Sequence, residues 1–370
     1  MIEWLLQVKA VSPLALHAER ASIQFTRTLM HIPGASLRGA LADTYLKTGA
    51  QDAGFQHLFL EEACLFPNLY PCDGTSESAP LPATARACKR YKAKHPESLS
   101  DALLPTHFQP EDSRKKWESC PECNNVRDRF EGFRVTSDIR RLVRPHTRTV
   151  AGTSILRVTQ TVASGQLFSH MVVEEGTRFS GRIRLANETL ADKLRDLLYK
   201  APLRVGYGRT RGMGLLEIES LNESPPPMMP DVSERLDKFN TAIRQIAGHG
   251  IASRQAALTL DSDVLLRDQL LRPVTAIADG RAFGLEGATL ERAFVVPALA
   301  QGWNAALGMP KPDTPGLGRG SVFLFKLNDG LAEAQLAAME TSGIGERSSE
   351  GFGRVRVCDP FHYEFSGGGQ

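Results

Sequence analysis

The sequence predicts an α+β protein made of two related halves. Two observations carry that expectation. Short alternating apolar segments, the period of half-buried strands, are interspersed with a few segments of helical spacing. Each half also closes on the same succession of strand, helix, glycine-rich loop and strand.

The elements follow in chain order. The opening MIEWLLQVKAVSPLAL alternates as a strand; it carries an acid at Glu3 and lacks the basic region and cleavage site of a signal peptide. Next, an apolar strand end turns at Pro33-Gly34, where Ser36 is placed to cap a helix that sets Leu37, Leu41 and Leu46 on or near one face. Such a start offers backbone N–H groups, with Arg38 one turn in, so Gly34, Ser36 and Arg38 form a candidate phosphate site; the plainer alternative is an ordinary capped helix.

From about Pro67 to Gln109 the chain is rich in Pro, Ser and Thr and only weakly periodic. A stretch that long is seldom plain loop and points to function, a metal staple or disorder. Five of the six cysteines fall between Cys64 and Cys123. Cys120-Pro-Glu-Cys123 has the spacing of half a zinc site. Cys88 is the best third ligand, with His95 seven residues on; Cys64, Cys72 and His107 are alternatives for the fourth position. Bound metal would anchor an insertion, about 62–132, that is expected to bury little apolar surface of its own. The alternatives are a reduced pair or a redox Cys-x-x-Cys, although the polar context of SRKKWESCPECNNVRD is not that of a thioredoxin-like turn.

Seven arginines lie between Arg127 and Arg148 against three acids, densest in RRLVRPHTR, which supplies Arg140, Arg141, Arg144, His146 and Arg148. That imbalance in a near-neutral chain favours an RNA surface over a merely solvated loop. Lys89-Arg90-Tyr91-Lys92-Ala93-Lys94 sets an aromatic among cations, a pattern suited to stacking on a base, but it overlaps the metal segment.

Thr177–Leu185 alternates as a strand, Glu188–Ala201 has helical spacing, and a glycine loop, Gly206 to Gly214, leads to the strand LLEIESL. Four prolines between Pro225 and Pro230 mark a linker, 223–233, dividing a first domain (1–222) from a second (234–370). The second domain repeats the pattern: strand Ser321–Leu327, helix Leu331–Ser342, glycines from Gly343 to Gly353 in a loop two residues longer, and the strand RVRV.

The glycine loops are not dinucleotide or P-loop sites. In a Rossmann unit the glycines follow a strand and open a helix; here a helix points its carbonyl end at them, and no Gly-Lys-Ser/Thr follows. Glycines do let an RNA backbone come close. Arginines that can fork a phosphate flank both loops: Arg209 and Arg211 beside Gly206 and Gly208, then Arg347 and Arg354 around Gly345, Ser348, Ser349 and Gly351. The alternative is a tight left-handed connection that needs glycine for geometry alone.

The overall balance, 44 Lys+Arg against 42 Asp+Glu, gives a formal charge of +2 and excludes global attraction to nucleic acid or anionic lipid, so any basic partner site is local. No apolar run is long enough to span a membrane. Clustered cysteines fit a metal site in a reducing compartment, and a cytoplasmic protein is expected.

The segment H-I-P-G-A-S-L-R-G-A-L (His31–Leu41) resembles a signature of the RAMP superfamily, the repeat-associated subunits of CRISPR effector complexes. GIGERSSEGFGRV (Gly343–Val355) is similar to that family's C-terminal glycine-rich loop, and GYGRTRGMG matches more loosely. RPHTRTVAGTS followed by GQLFSHMVV, and PGLGRGSVFLF in the second half, fit as well. The arrangement is most similar to the type III-D subunit that caps the five-prime end of the guide RNA. The resemblance implies two tandem ferredoxin-like domains of the RNA-recognition type, the first with a zinc-binding insertion. It implies a non-catalytic subunit that holds the five-prime handle of a crRNA. Its neighbours would be other RAMP backbone subunits and the large signature subunit of a type III complex, with target RNA met only indirectly and no membrane. It also favours a cysteine near Cys88 paired with the later Cys-x-x-Cys. The second domain departs from the pattern, with Ala288–Leu307 expected to stand in for the missing Ile-Pro-Gly helix.

Some RAMP proteins cut precursor crRNA with a histidine as general acid or base, and His17 and His31 are the candidates here, neither with an evident Lys or Tyr partner in sequence. Target cutting would need an acidic residue ahead of Ile32-Pro33-Gly34, where HAERASIQFTRTLM offers Glu19 and no Asp. Neither pattern makes a convincing enzyme.

Overall fold

The computed structural model describes all residues except 1, 18–24, 50, 75, 111–116, 157, 159–160, 248–252, 305–306, 329–332 and 367–370. The fold is mixed α+β and strand-rich. The chain divides into two compact units: one of 1–78, 143–226 and 349–351, the other of 79–142, 227–348 and 352–370. The main division falls inside the proline run, between Pro226 and Pro227. Residues 79–142, which hold most of the expected insertion, group with the C-terminal residues rather than with the N-terminal ones.

In the first unit the strands Cys64–Leu65 and Tyr70–Cys72, Arg178–Leu185, Ile2–Ala10 and Leu215–Asn222 lie side by side in that order, with Leu203–Arg204 at the far edge. Every pairing is antiparallel. In chain order this is strand 2, 3, 1, 4, with two helices, Gly34–Thr48 and Ala53–Phe59, after the first strand and another after the third. Alternation explains the face that is buried: Trp4, Leu6, Val8 and Ala10 are all at or below 2% exposure. Against them pack Leu37 and Leu41 of the helix Gly34–Thr48, and Leu190, Leu194 and Leu198 of Glu188–Lys200. Two details of the first helix differ from expectation. It starts one turn early, with Pro33 in the cap position and no side-chain cap, so Ser36 lies inside it. Leu46 is 43% exposed because it has rotated off the stripe set by Leu37 and Leu41.

The second unit repeats the order. Ala288–Phe294, Val322–Leu327, Gln255–Leu260 and Val355–Val357 are neighbours, again strand 2, 3, 1, 4, and all antiparallel. The helix Glu333–Ser342 follows strand 3, but only a single 3-10 turn, Gly280–Phe283, lies between strands 1 and 2. Ala288–Leu307 therefore does not replace the Ile-Pro-Gly helix: its first seven residues pair along the edge of Val322–Leu327, and Pro297, which has no N–H, opens a separate ribbon paired with Thr314–Leu317.

Residues 79–142 bury more than the sequence promised. Leu103 and Leu104 are fully enclosed with Leu236, Phe239 and Leu258, and Leu81 and Ala85 pack on Phe361 and Phe365. A buried ionic group reinforces the packing. The Arg134 guanidinium, wholly enclosed, donates to Asp359, and Arg356 donates to Asp359 at 3.1 Å and to Asp261 at 2.6 Å. The neighbouring His362 Nδ1 lies 2.8 Å from Asp101. Arg134, read in sequence as part of a basic surface, is thus a core residue.

Burial alone would raise the Asp359 carboxyl, but the Arg134 and Arg356 guanidiniums override it and hold it far below the usual carboxylate range. Asp261 goes the other way, raised by burial. Because Asp359 is depressed, its contribution is fully present above the unfolded value of about 3.9 and is lost as pH falls towards its own lower value. Asp359→Asn is therefore expected to cost about 3–5 kcal/mol at neutral pH. In denaturant melts across pH, the gap from the parent should narrow only below about pH 4.

Candidate functional site

The two glycine loops are one design used twice. In the first, Val205 N–H donates to Gly214 O, Gly214 N–H to Pro13 O and Tyr207 N–H to Ala15 O. In the second, Ile344 N–H donates to Gly353 O, Gly353 N–H to Asp263 O and Glu346 N–H to Leu265 O. These bonds match Gly206 with Gly345 and Gly214 with Gly353. The loops therefore have the same length, and the apparent extra residues belong to Gly343-Ile344, whose counterpart is Arg204-Val205.

Glycine is required at these four positions. Each has φ between +76° and +84°. A β-carbon at Gly214 would lie 2.1 Å from Val205 O, at Gly353 2.2 Å from Ile344 O, at Gly206 2.5 Å from Ala15 O and at Gly345 2.2 Å from Leu265 O. Their role is geometric, which leaves the side chains at the loop tips unconstrained by the turn itself. In the first loop Arg209 and Arg211 occupy an exposed 3-10 turn between Gly208 and Gly212, both left-handed. Arg209 reaches Asp43 only at 3.9 Å, and Arg211 sits 6.0 Å from the Tyr207 ring centre. In the second, Arg347 takes a left-handed conformation with its guanidinium 4.7 Å from the Phe352 ring centre, and Ser348 begins the short turn Ser348–Glu350. Arg354 is largely withdrawn: its backbone N–H bonds to Ser262 Oγ and both terminal nitrogens are buried.

The helix start at Gly34 is closed by the protein itself. Gly34 N–H donates to Asn68 Oδ1 at 2.9 Å, and Ser36 N–H donates to Pro33 O. Arg38 donates to Phe59 O and lies 3.9 Å from Glu350. Ser349 is buried, and Gly351 sits against Asn68 and Gly34, all in the first unit. The basic run is split between the units. Arg140 and Arg141 belong to the second, exposed, with Arg140 over the Phe365 ring. Arg144, His146 and Arg148 belong to the first, also exposed, with Arg148 paired to Glu175 at 2.9 Å.

The structure brings Cys88, His95, Cys120 and Cys123 together, all four ligand atoms within 4.8 Å of one another. Cys88 Sγ and Cys123 Sγ are 3.5 Å apart, and His95 Nδ1 and Cys120 Sγ 3.4 Å. Such separations fit four ligands around one tetrahedral ion with bonds of about 2.0–2.3 Å. The Tyr91 N–H donates to Cys88 Sγ at 3.4 Å and the Asn125 amide to Cys123 Sγ at 3.2 Å. That amide is the chief reason the Cys123 thiol is lowered to about 6, whereas burial raises Cys64, Cys72 and Cys358. The three alternative ligands are elsewhere: Cys64 and Cys72 are buried in the first unit, and His107 pairs with Glu291 at 3.0 Å.

Sequence reasoning missed one cluster. The rings of His17, His170 and Tyr207 gather in the first unit, with His17 4.8 Å from Tyr207 and 5.7 Å from His170, centre to centre. His17 is lowered by burial and by its neighbour His170. The antiparallel bridge from Ala15 to Tyr207 makes this meeting, so His17 does have a tyrosine beside it. His31 is buried against Tyr70, while Glu19 lies outside the described residues.

Residues 7–217 match the RAMP superfamily, more than half of the chain. The chain belongs to the RAMP superfamily. Among solved structures, a type III-B Cmr-beta chain bound to cognate target RNA and AMPPnP shares 13% identity, over 93% of this chain and 90% of that one, at a TM-score of 0.48. A second Cmr-beta chain, bound to cognate target RNA, shares 14% over 87% and 86%, at 0.46. A Cas6 product complex shares 19% over 50% of this chain and 78% of that one, at 0.29. No curated protein matches. Among the described residues no helix of this RAMP protein is long and apolar enough to cross a membrane.

The donor set predicts one divalent ion per chain. Added Co2+ should give the intense visible absorption of tetrahedral thiolate ligation, and Cys120→Ser should abolish it and reduce metal content measured by elemental analysis.

Proposed function

We propose that this RAMP protein is a non-catalytic subunit of a type III CRISPR complex, of the III-D kind, that holds the five-prime handle of a crRNA and nucleates assembly. The observation that carries this reading is the doubled glycine loop, built identically in each unit by backbone hydrogen bonds, with Arg209 and Arg211 exposed on one tip and the half-buried Arg347 on the other. The shared strand order supports treating both units as ferredoxin-like domains, the second with its first helix reduced to a 3-10 turn. Handle contacts are assigned to the loop tips, to Arg140 and Arg141, and to Arg144, His146 and Arg148. The partners are the other RAMP backbone subunits and the large signature subunit. Zinc is the ion proposed for the Cys3His set, because thiolates and imidazole in tetrahedral array select it and no ligand position is left open for catalysis.

A second reading, a crRNA-processing endoribonuclease, has His17, His170 and Tyr207 in its favour. Imidazole nitrogens beside a glycine-loop tyrosine are suitable general acid–base groups.

One assay addresses both. Purified protein with labelled repeat-derived RNA is run on native and denaturing gels. The proposal expects a handle-dependent shift with intact RNA. Affinity should fall with salt by roughly 0.7 logarithmic units per phosphate engaged, and Arg209→Ala/Arg211→Ala should lower that slope by about 1.4. Shortened RNA in the parent, and intact RNA with His17→Ala, would establish the nuclease instead.

A further inference from the structure

We propose that the Cys3His centre is a second RNA-contact site, in which the metal holds a cationic loop and an aromatic ring in position for single-stranded RNA. The inference rests on the RNA-binding reading above and adds a site to it.

The loop concerned joins two of the ligands. Between Cys88 and His95 run Lys89, Arg90, Tyr91, Lys92, Ala93 and Lys94, and the four cations are all exposed. Among the described residues none of them enters an ion pair. Elsewhere carboxylates neutralise several arginines: Arg178 pairs with Glu219, Arg195 with Glu223 and Asp192, Arg254 with Asp237 and Glu333. In a chain with almost equal numbers of acids and bases, four cations in six residues with no ion pair among the described residues are a concentrated local charge.

The ring among them is placed by the ligands. The Tyr91 N–H is bonded to Cys88 Sγ, and its ring stacks on His95 with centres 4.4 Å apart and 27° between planes. Arg90 stands 5.2 Å from the centre of the same ring, and Tyr91 remains 38% exposed. Lys92 adopts a left-handed φ of 49°, opening the 3-10 turn Lys92–Lys94 that returns the chain to His95. The protein fixes the backbone at both ends, through strand pairing at Cys88 and through Ser98, which bonds both Cys88 N–H and His95 O, and one ion would add a link between the two side chains.

The chemistry presented is that of a single-stranded nucleic-acid platform: cations to follow phosphates and an exposed ring to stack a base. A protein partner would need an acidic surface, whereas single-stranded RNA uses the cations and the ring together. Metal loading and RNA affinity are therefore coupled through the side chains: strand pairing and Ser98 still hold the backbone of Cys88, but losing the ion frees its thiolate and the His95 imidazole, the two groups that seat Tyr91.

The test uses the full chain, metal content measured throughout, and a fluorescent single-stranded repeat-derived RNA. Lys89→Ala/Arg90→Ala/Lys92→Ala/Lys94→Ala should keep its metal, yet lower the salt slope by about 2 logarithmic units, the value for roughly three phosphates. Tyr91→Ala should also keep its metal and weaken binding about tenfold. Cys123→Ser should lose metal and affinity together. Loop variants that retain metal and bind RNA with parental affinity and slope overturn the proposal, while the Arg209→Ala/Arg211→Ala defect would leave the crRNA reading standing. Loop variants that bind RNA normally but fail to join partner subunits also overturn it, making the face a protein surface. A parent chain that binds no RNA sinks both.

Discussion

At Gly214 and Gly353 the chain comes back on itself so closely that a single β-carbon would collide with a carbonyl oxygen. That backbone-to-backbone approach is the constraint on which the rest depends. It fastens the final strand of each unit to the segment that leaves the first strand, at Pro13 and Ala15 in one case and Asp263 and Leu265 in the other. Loop geometry is then independent of the side chains at the tip, which frees those positions for arginine. It also fixes what lies beside the loop: the Ala15–Tyr207 bridge is what sets Tyr207 against His17.

The second unit depends further on charges taken out of water. Arg134 and Asp359 are 225 residues apart, and each would be costly to bury alone. Together with Arg356, Asp261, and the nearby His362 and Asp101, they pair charge against charge and fasten residues 79–142 to the C-terminal strand and helix. The metal ligands stand on this segment. Apolar packing by Leu103 and Leu104 and the ionic group hold its body, and Ser98 ties Cys88 to His95, so a bound ion would act on the side chains of the short loop between them.

Periodicity made the main strands and helices legible, because alternation in Ile2–Ala10 and Arg178–Leu185 and the stripe in Glu188–Lys200 are consequences of burying one face. Ligand chemistry made the metal set legible: thiols and an imidazole at suitable spacing have few other uses. What escaped was decided by distant partners. Arg134 reads as one more cation in a basic run until Asp359 is known to cover it. Ser36 and Arg38 have the composition of a phosphate site, but Pro33, Asn68, Phe59 and Glu350 take or face those groups. His17 seems alone until the bridge brings Tyr207 alongside. The equal length of the two loops was hidden because hydrogen-bond equivalence, not glycine spacing, defines where each begins.

The central claim is that this RAMP protein binds a guide RNA. Its most direct test is to isolate the protein from its native cells under mild salt and sequence the five-prime ends of the RNA that comes with it. Short RNAs sharing one repeat-derived five-prime segment, and depleted when the loop-tip arginines are replaced, are the predicted result. Recovery of no RNA above a mock purification, or of RNAs with no common five-prime segment, would contradict it.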